Sequence, residues 1–170
     1  MTLSSYFGKL LERILRTRIH KHLESHALLD PDQEGFQKNK STGRYLVNFI
    51  SQVEEALDKK EVPIAVMIDF QKAFDSIWIQ GLLYKLNQMG IHGKMWLLLK
   101  NFLENRKVRL KLDDYESEEF PITVGLPQGS VLSPILFSIF VSDIANLCVG
   151  SNFKYADDLT LLVTGVSVSD

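Results

Sequence analysis

The sequence predicts an α+β domain, and three patterns point to it. Apolar residues recur at helical spacing near the N-terminus and again over residues 44–59, which predicts amphipathic helices. A continuously apolar run, residues 63–70, is typical of a strand buried on both faces. Two later stretches, residues 106–124 and 153–164, each hold two extended segments around a turn and predict β-hairpins. A small antiparallel sheet packed on helices accommodates all three patterns.

Composition limits the class of protein. The 170 residues suffice for one hydrophobic core, and 45% hydrophobic with 24% charged residues is ordinary for a soluble globular chain. A net charge of −2 argues against binding nucleic acid by bulk positive charge, although local basic patches remain compatible with it. One cysteine, Cys148, excludes an internal disulfide. Without a visible secretory leader or bilayer-length apolar run, we expect an intracellular protein, nuclear or cytoplasmic, that contacts no membrane.

The first predicted helix covers residues 5–25, and one of its faces is basic. Its predicted core stripe consists of Phe7, Leu10, Leu11, Ile14, Leu15, Ile19 and Leu23. Lys9 and Arg13 lie on the other face, where they either remain solvated or contact phosphate.

A loop over residues 28–43 precedes the second helix, for which Ser41 or Thr42 is the expected N-cap. Its predicted buried face consists of Tyr45, Leu46, Phe49, Ile50, Val53 and Leu57.

The apolar run over residues 63–70 ends in a charge, Asp69, which a purely structural buried strand would avoid unless the carboxylate had a partner. We expect residues 71–75 to lead directly into a helix that runs to about Met89 and is closed by Gly90, and another helix over residues 93–103.

Residues 106–112 alternate apolar and basic side chains, which predicts a strand with one basic face and a return strand over residues 120–124. Arg109 and Lys111 on that face either contact a phosphate backbone or are solvated and balanced by the acidic turn.

A glycine-flanked loop, residues 125–130, precedes a predicted buried helix that ends near Leu147, with Ser133 as N-cap and Pro134 at its first position. The last hairpin carries Asp157 and Asp158 at its tip.

Three carboxylates are expected to meet, because antiparallel pairing would bring Asp69 beside Asp157 and Asp158. Such a cluster of anions is costly without cations, and magnesium is typically held by one or two carboxylates together with substrate phosphates. Two ions about 4 Å apart can activate a 3′-hydroxyl and stabilise the leaving pyrophosphate. The chemistry predicted by these residues is nucleotidyl transfer.

Three ordered motifs carry a family resemblance. Residues 66–75, 125–134 and 155–158 resemble motifs A, B and C of reverse transcriptases, specifically those of non-LTR (LINE-type) retrotransposons. Residues 33–36 with 41–42, and residues 4–15, resemble the two fingers motifs that precede them. The similarity covers essentially the whole chain. It implies a palm-and-fingers fold with fingers over residues 1–61 and palm over 62–170, which we expect to be truncated before the thumb.

The resemblance also implies residue roles. Asp69, Asp157 and Asp158 would be catalytic and, with the Phe70 carbonyl, would bind two Mg²⁺ ions, for which Mn²⁺ could substitute. Phe74 would be the gate that excludes a ribose 2′-hydroxyl, unless it is simply a core residue. The implied nucleotide contacts are Ala73, Phe74, Gln128, Gly129, Lys9 and Arg13. The implied contacts with RNA template or DNA primer are Tyr155, Ala156, Pro127, Lys38, Lys40, Arg44, Arg109 and Lys111.

The expected function is therefore RNA-directed DNA polymerisation from dNTPs. The alternative is a catalytically incomplete retroelement remnant that folds and at most binds nucleic acid. Phe74 at the gate position and Ala156 before the two aspartates argue against an RNA-dependent RNA polymerase. Gln37 departs from the fingers motif, which usually has Arg there, and this weakens one expected contact without affecting the metal site.

Overall fold

The computed structural model describes residues 6–37, 40–144 and 149–166, which form helices and small antiparallel sheets. The predicted α+β class is confirmed. The helices are α1 (Tyr6–Ser25), α2 (Thr42–Asp58), α3 (Ile79–Gln88), α4 (Gly93–Leu103) and α5 (Ser133–Val141). The strands are β1 (Val62–Asp69), β2 (Arg106–Val108), β3 (Lys111–Leu112), β4 (Tyr115–Glu116), β5 (Phe120–Ile122), β6 (Ser151–Tyr155) and β7 (Asp158–Gly165).

The described residues divide into two compact units. The first unit comprises the residues up to Leu28 together with Lys72–Phe140, and the second comprises Leu29–Gln71 with the residues from Val141 onward.

The first unit has a helical core. Its buried apolar side chains come from α1, α3, α4 and α5: Leu15, Ile19, Leu23, Leu82, Leu83, Leu86, Leu99, Leu103, Leu136, Phe137 and Ile139. Each such side chain contributes about 1.5–3 kcal/mol through burial.

The core stripe predicted for α1 is only partly correct. Leu15, Ile19 and Leu23 are buried, whereas Phe7 is 85% exposed. Leu10, Leu11 and Ile14 are also exposed. The buried face of α1 consists of Glu12, Leu15, Ile19 and Leu23. The neighbouring apolar residues lie outside this face and are therefore exposed.

A turn over residues 71–76 replaces the predicted start of the helix after β1, and α3 begins only at Ile79. The end of α3 agrees with the prediction. The amides of Gly90 and Ile91 bond to the carbonyls of Asn87 and Leu86, with Gly90 at φ 81°, which is a Schellman closure.

The predicted basic hairpin consists of two short ladders, β2 with β5 and β3 with β4. A two-residue loop with Asp113 at φ 51° joins β3 to β4. The expected apolar face is not buried, because Val108, Leu110 and Leu112 are all exposed.

The second unit contains a three-stranded antiparallel sheet in the order β1-β7-β6. The ring of Phe153 in β6 meets Tyr45 and Phe49 of α2 edge-on, with centroid distances of 6.3 and 5.3 Å. Ser41 is the N-cap of α2, as its side chain accepts a hydrogen bond from the Arg44 amide.

The buried face predicted for α2 is shifted. Its covered residues are Tyr45, Phe49, Val53 and Ala56, while the expected core residues Leu46, Ile50 and Leu57 are exposed.

The burial predicted for β1 is wrong. Val66 and Met67 are 49% and 77% exposed, and β7 rather than β1 is the central strand. In the described part of the chain β1 pairs only with β7, which leaves one edge open. A continuous apolar run therefore identified the strand correctly but not its burial.

Helix α5 is buried as predicted, but it ends at Val141 rather than near Leu147, and residues 145–148 lie outside the described ranges. Ser133 is its first helical residue, and the Ser133 hydroxyl donates to the Pro127 carbonyl instead of capping the helix. Within the described residues, no helix has the length and apolar character needed to cross a bilayer.

Candidate functional site

The tip of the β6–β7 hairpin carries the two adjacent carboxylates, as predicted. Tyr155 pairs with Asp158, so Ala156 and Asp157 form a two-residue loop. Ala156 has φ 57° and Asp157 is not among the residues with positive φ, which is the pattern of a type II′ turn. Asp157 is half-buried and Asp158, the first residue of β7, is exposed.

The sheet register places Asp69 opposite Asp158, so the last residue of β1 faces the first residue of β7. The register thus brings Asp69 beside Asp158, one of the two hairpin carboxylates. In residues 6–37, 40–144 and 149–166, no group of three or more His, Cys, Asp or Glu side chains is arranged to hold a metal ion by itself. The donors present are hard carboxylate oxygens, which suit a magnesium ion that also takes water and phosphate ligands. Phe70, whose carbonyl is the fourth expected ligand, is half-buried directly after Asp69.

A loop over residues 30–35 is hydrogen-bonded along β6 and the hairpin tip. The Glu34 amide donates to the Lys154 carbonyl (2.8 Å), and the Lys154 amide donates to the Asp32 carbonyl (3.3 Å). The Lys154 ammonium forms a buried ion pair with Asp30. Gln33, which is 1% exposed, bonds to the backbone of Ala156.

Two basic residues expected to contact the template pair with one buried carboxylate. Arg44 Nε lies 3.2 Å and Lys40 Nζ 3.9 Å from Glu34 Oε1. Glu34 is 5% exposed, so this pairing compensates its buried charge. Lys38 lies outside the described residues.

In the first unit, residues 72–77 and the loop that holds Gln128 are joined by backbone hydrogen bonds. The Leu126 amide donates to the Phe74 carbonyl (2.7 Å), and the Gly125 amide donates to the Ile77 carbonyl (2.8 Å). Gly125 has φ 77°, and a Cβ there would lie 2.5 Å from the Asp75 carbonyl oxygen. Glycine is therefore required at position 125 for both backbone conformation and space.

The side chains of these two segments also meet. The Phe74 ring stacks on Phe137 with centroids 4.7 Å apart and planes at 22°, and it is half-buried in a turn rather than in a helix. The Gln128 Nε2 donates to both carboxylate oxygens of Asp75, at 2.9 and 3.0 Å. A cavity of about 490 Å³ adjoins this pair and is lined in part by Arg106 and Pro127. Ala73 is buried, and Gly129 is exposed at φ 84°.

Two further charged side chains hold the Gln128 loop. Glu12 Oε2 accepts from the Ser130 hydroxyl and the Val131 amide, both at 2.6 Å. Arg106 donates through Nη2 to the Val124 carbonyl (3.0 Å). Burial lowers the pKa of the Arg106 guanidinium from its ordinary value.

Sequence reasoning missed Arg106 and the partner role of Asp75. The only available signal was that Asp75 lies inside motif A.

The remaining basic candidates are on the surface of the first unit. On α1, Lys9 is half-buried and Arg13 exposed. Arg109 pairs with Glu119 at 3.0 Å, and Lys111 pairs with Glu116 at 3.5 Å. The pKa of Glu119 is lowered first by the hydrogen bond from Lys107 and then by Arg109.

Comparison with known proteins decides the family. Residues 1–168 match the family described as "Reverse transcriptase (RNA-dependent DNA polymerase)". The chain belongs to the reverse transcriptase family.

Among its relatives, the RNA-directed DNA polymerase from mobile element jockey of Drosophila melanogaster is 32% identical, over 95% of this chain and 18% of the relative. The jockey protein of Drosophila funebris is 36% identical, again over 95% and 18%. The probable RNA-directed DNA polymerase from transposon BS of Drosophila melanogaster is 32% identical, over 95% and 19%.

The predicted relation to non-LTR retrotransposon reverse transcriptases is confirmed. This reverse transcriptase chain spans about a fifth of the length of these relatives. Members of the family use divalent metal ions.

Proposed function

We propose that this reverse transcriptase chain is the palm-and-fingers portion of an RNA-directed DNA polymerase that adds dNTPs to a primer 3′-hydroxyl. The observation that supports this most directly is the register of Asp69 with Asp158, with Asp157 in the adjacent hairpin loop. The fingers would comprise residues 1–61 and the palm residues 62–170. The polymerase would act inside the cell, in the nucleus or cytoplasm.

Asp69, Asp157 and Asp158, with the Phe70 carbonyl, would hold two Mg²⁺ ions, for which Mn²⁺ could substitute. When bound, such ions activate the attacking hydroxyl and stabilise the pyrophosphate leaving group. The exposure of Asp69 and Asp158 leaves their oxygens accessible to ions that keep phosphate and water ligands.

The incoming dNTP would be bound by the turn that contains Phe74 and the loop that contains Gln128, which are joined by the backbone hydrogen bonds of Gly125 and Leu126. Phe74 would exclude the 2′-hydroxyl, and its stacking on Phe137 supports a fixed ring position. Exposed Gln128 and Gly129 would lie against the incoming nucleotide and template, Ala73 would be a further nucleotide contact, and Lys9 and Arg13 would contact the triphosphate.

Contacts with RNA template and DNA primer are proposed in several segments of the chain. The proposed residues are Tyr155, Ala156, Pro127, Lys38, Lys40, Arg44, Arg109 and Lys111. The ion pairs of Arg109 and Lys111 are exposed to solvent, where such pairs contribute little to stability, so phosphate could replace the glutamates at little cost.

Primer extension tests the proposal with poly(rA)/oligo(dT), dTTP and magnesium. We expect extension by the wild-type chain, none by Asp157→Asn, and wild-type extension by Asp58→Asn, an exposed carboxylate at the end of α2. Equal extension by Asp157→Asn would refute the metal assignment. Nucleic-acid binding without extension by the wild-type chain would favour the catalytically incomplete alternative.

A further inference from the structure

Gln33 is a buried polar side chain in the second unit, and every polar atom of its amide is bonded. Its Oε1 accepts from the amides of Gly35 and Ala156, both at 2.8 Å. Its Nε2 donates to the Ala156 carbonyl at 3.0 Å. One side chain therefore binds both backbone polar groups of the first loop residue in the carboxylate-bearing hairpin.

Ala156 needs such support because of its backbone conformation. Its φ of 57° lies in the left-handed region, and the first loop position of a type II′ turn is usually glycine. A non-glycine residue persists there only when its surroundings hold it in place. The two hydrogen bonds from Gln33 supply that restraint.

Gln33 is itself held close to the hairpin. A Cβ on Gly35 would lie 2.3 Å from the Ala156 nitrogen, so the loop backbone lies directly against the tip. The Glu34–Lys154 backbone bond and the buried Asp30–Lys154 ion pair anchor this loop to β6 on either side of Gln33. The loop thus holds the side-chain amide of Gln33 in its bonding position next to Ala156.

We propose that Gln33 is a positioning residue for the carboxylates of Asp157 and Asp158. It fixes the Ala156 peptide, whose carbonyl carbon is bonded to the nitrogen of Asp157, and it thereby sets the direction in which the hairpin presents both side chains. This inference rests on the proposed function, because it assumes that these carboxylates bind divalent ions. Gln33 itself touches neither metal nor substrate.

Mn²⁺ binding to the full chain, followed by electron paramagnetic resonance, measures the effect without requiring polymerisation. Loss of residues that orient metal ligands typically lowers metal affinity by about 10–100-fold, and we expect this range for Gln33→Leu. Gln33→Glu keeps one acceptor and the shape but places a carboxylate oxygen, in place of the donor, against the Ala156 carbonyl, so it should weaken Mn²⁺ binding as well.

Gln37→Leu is the matched control. Gln37 lies in the same loop and donates to the Asp30 carbonyl at 3.0 Å, without a bond to the hairpin. Its Mn²⁺ affinity should stay within about twofold of the wild type, since the metal ligands keep their support.

Two readouts separate positioning from general destabilisation. In the metal-free chain, amide exchange should accelerate at Ala156 and Gly35 in Gln33→Leu but not along the β1–β7 ladder. Adding Ala156→Gly to Gln33→Leu should recover part of the lost Mn²⁺ affinity, because glycine adopts the left-handed conformation without help.

The outcomes are distinguishable. Unchanged Mn²⁺ affinity in both Gln33 variants, alongside weakened binding in Asp157→Asn, would overturn this inference alone. If Asp157→Asn leaves the Mn²⁺ affinity unchanged, or if the wild-type chain binds no Mn²⁺, both the proposed function and this inference are overturned. Equal losses in Gln33→Leu and Gln37→Leu would assign the effect to the loop as a whole and also refute the role of Gln33.

Discussion

Replacing Glu12 by alanine should destabilise the chain through the loop that carries Gln128. Glu12 is buried on α1, and one of its carboxylate oxygens accepts from both the Ser130 hydroxyl and the Val131 amide. The substitution removes a charged acceptor shared by two donors. Glu12 therefore links α1 to the loop that precedes α5.

The expected loss of unfolding free energy follows from the two donors, the Ser130 hydroxyl and the Val131 amide, that Glu12→Ala leaves without their acceptor. Hydrogen bonds to charged groups are worth about 1.5–3 kcal/mol each, and a buried donor left without a partner costs about 1–3 kcal/mol. Both donors are only partly buried and the Ser130 hydroxyl can rotate, so we expect about 2 kcal/mol for Glu12→Ala. For a chain of this length that corresponds to a decrease in Tm of about 4–8 °C. Glu12→Gln keeps an acceptor oxygen and should cost about half as much.

Thermal and urea unfolding at neutral pH measure this effect. Glu24→Ala is the matched control, because Glu24 is an exposed glutamate on the same helix, paired only loosely with His20 at 3.4 Å. Its unfolding free energy should change by less than about 0.5 kcal/mol. Equal Tm values for Glu12→Ala and Glu24→Ala would show that the buried carboxylate does not stabilise the loop. Additive effects of Glu12→Ala and Ser130→Ala would also contradict the direct bond between them.

Three further predictions concern selectivity, template binding and pH. Phe74→Val should increase ribonucleotide incorporation in primer extension relative to dNTPs, and unchanged discrimination would show that the ring is only a core residue. Charge reversal at Arg109 and Lys111 should weaken template binding and flatten its salt dependence, whereas an unaltered slope in a salt titration would mean that neither touches phosphate. The depressed pKa of Glu119 means that its ion pairs stabilise the folded chain above the ordinary glutamate pKa, and that this contribution is lost as pH falls through the lowered pKa. An NMR titration should show that pKa rise towards the ordinary value in Lys107→Ala, and no change would refute the assigned cause.

The sequence by itself determined the kinds of element and most of their order. Helical periodicity, a β-branched apolar run and turn residues are local properties, so α4, the β6–β7 hairpin and the Gly90 closure were predicted from short windows. The three motifs were also enough to identify the family, because the order and spacing of residues can be recognised without knowing their contacts. The pairing of Asp69 with Asp158 was expected from antiparallel geometry alone.

Only the tertiary structure decided burial and partners. Val66 and Met67 have the residue types of a buried strand, yet they are exposed because burial depends on which neighbours cover them. Gln33 and Glu12 bond to residues 123 and 118 positions away, and no local pattern reports a hydrogen bond across such a separation. Packing therefore determines which side chains hold the hairpin tip and the Gln128 loop, even though their motifs can be read directly from the sequence.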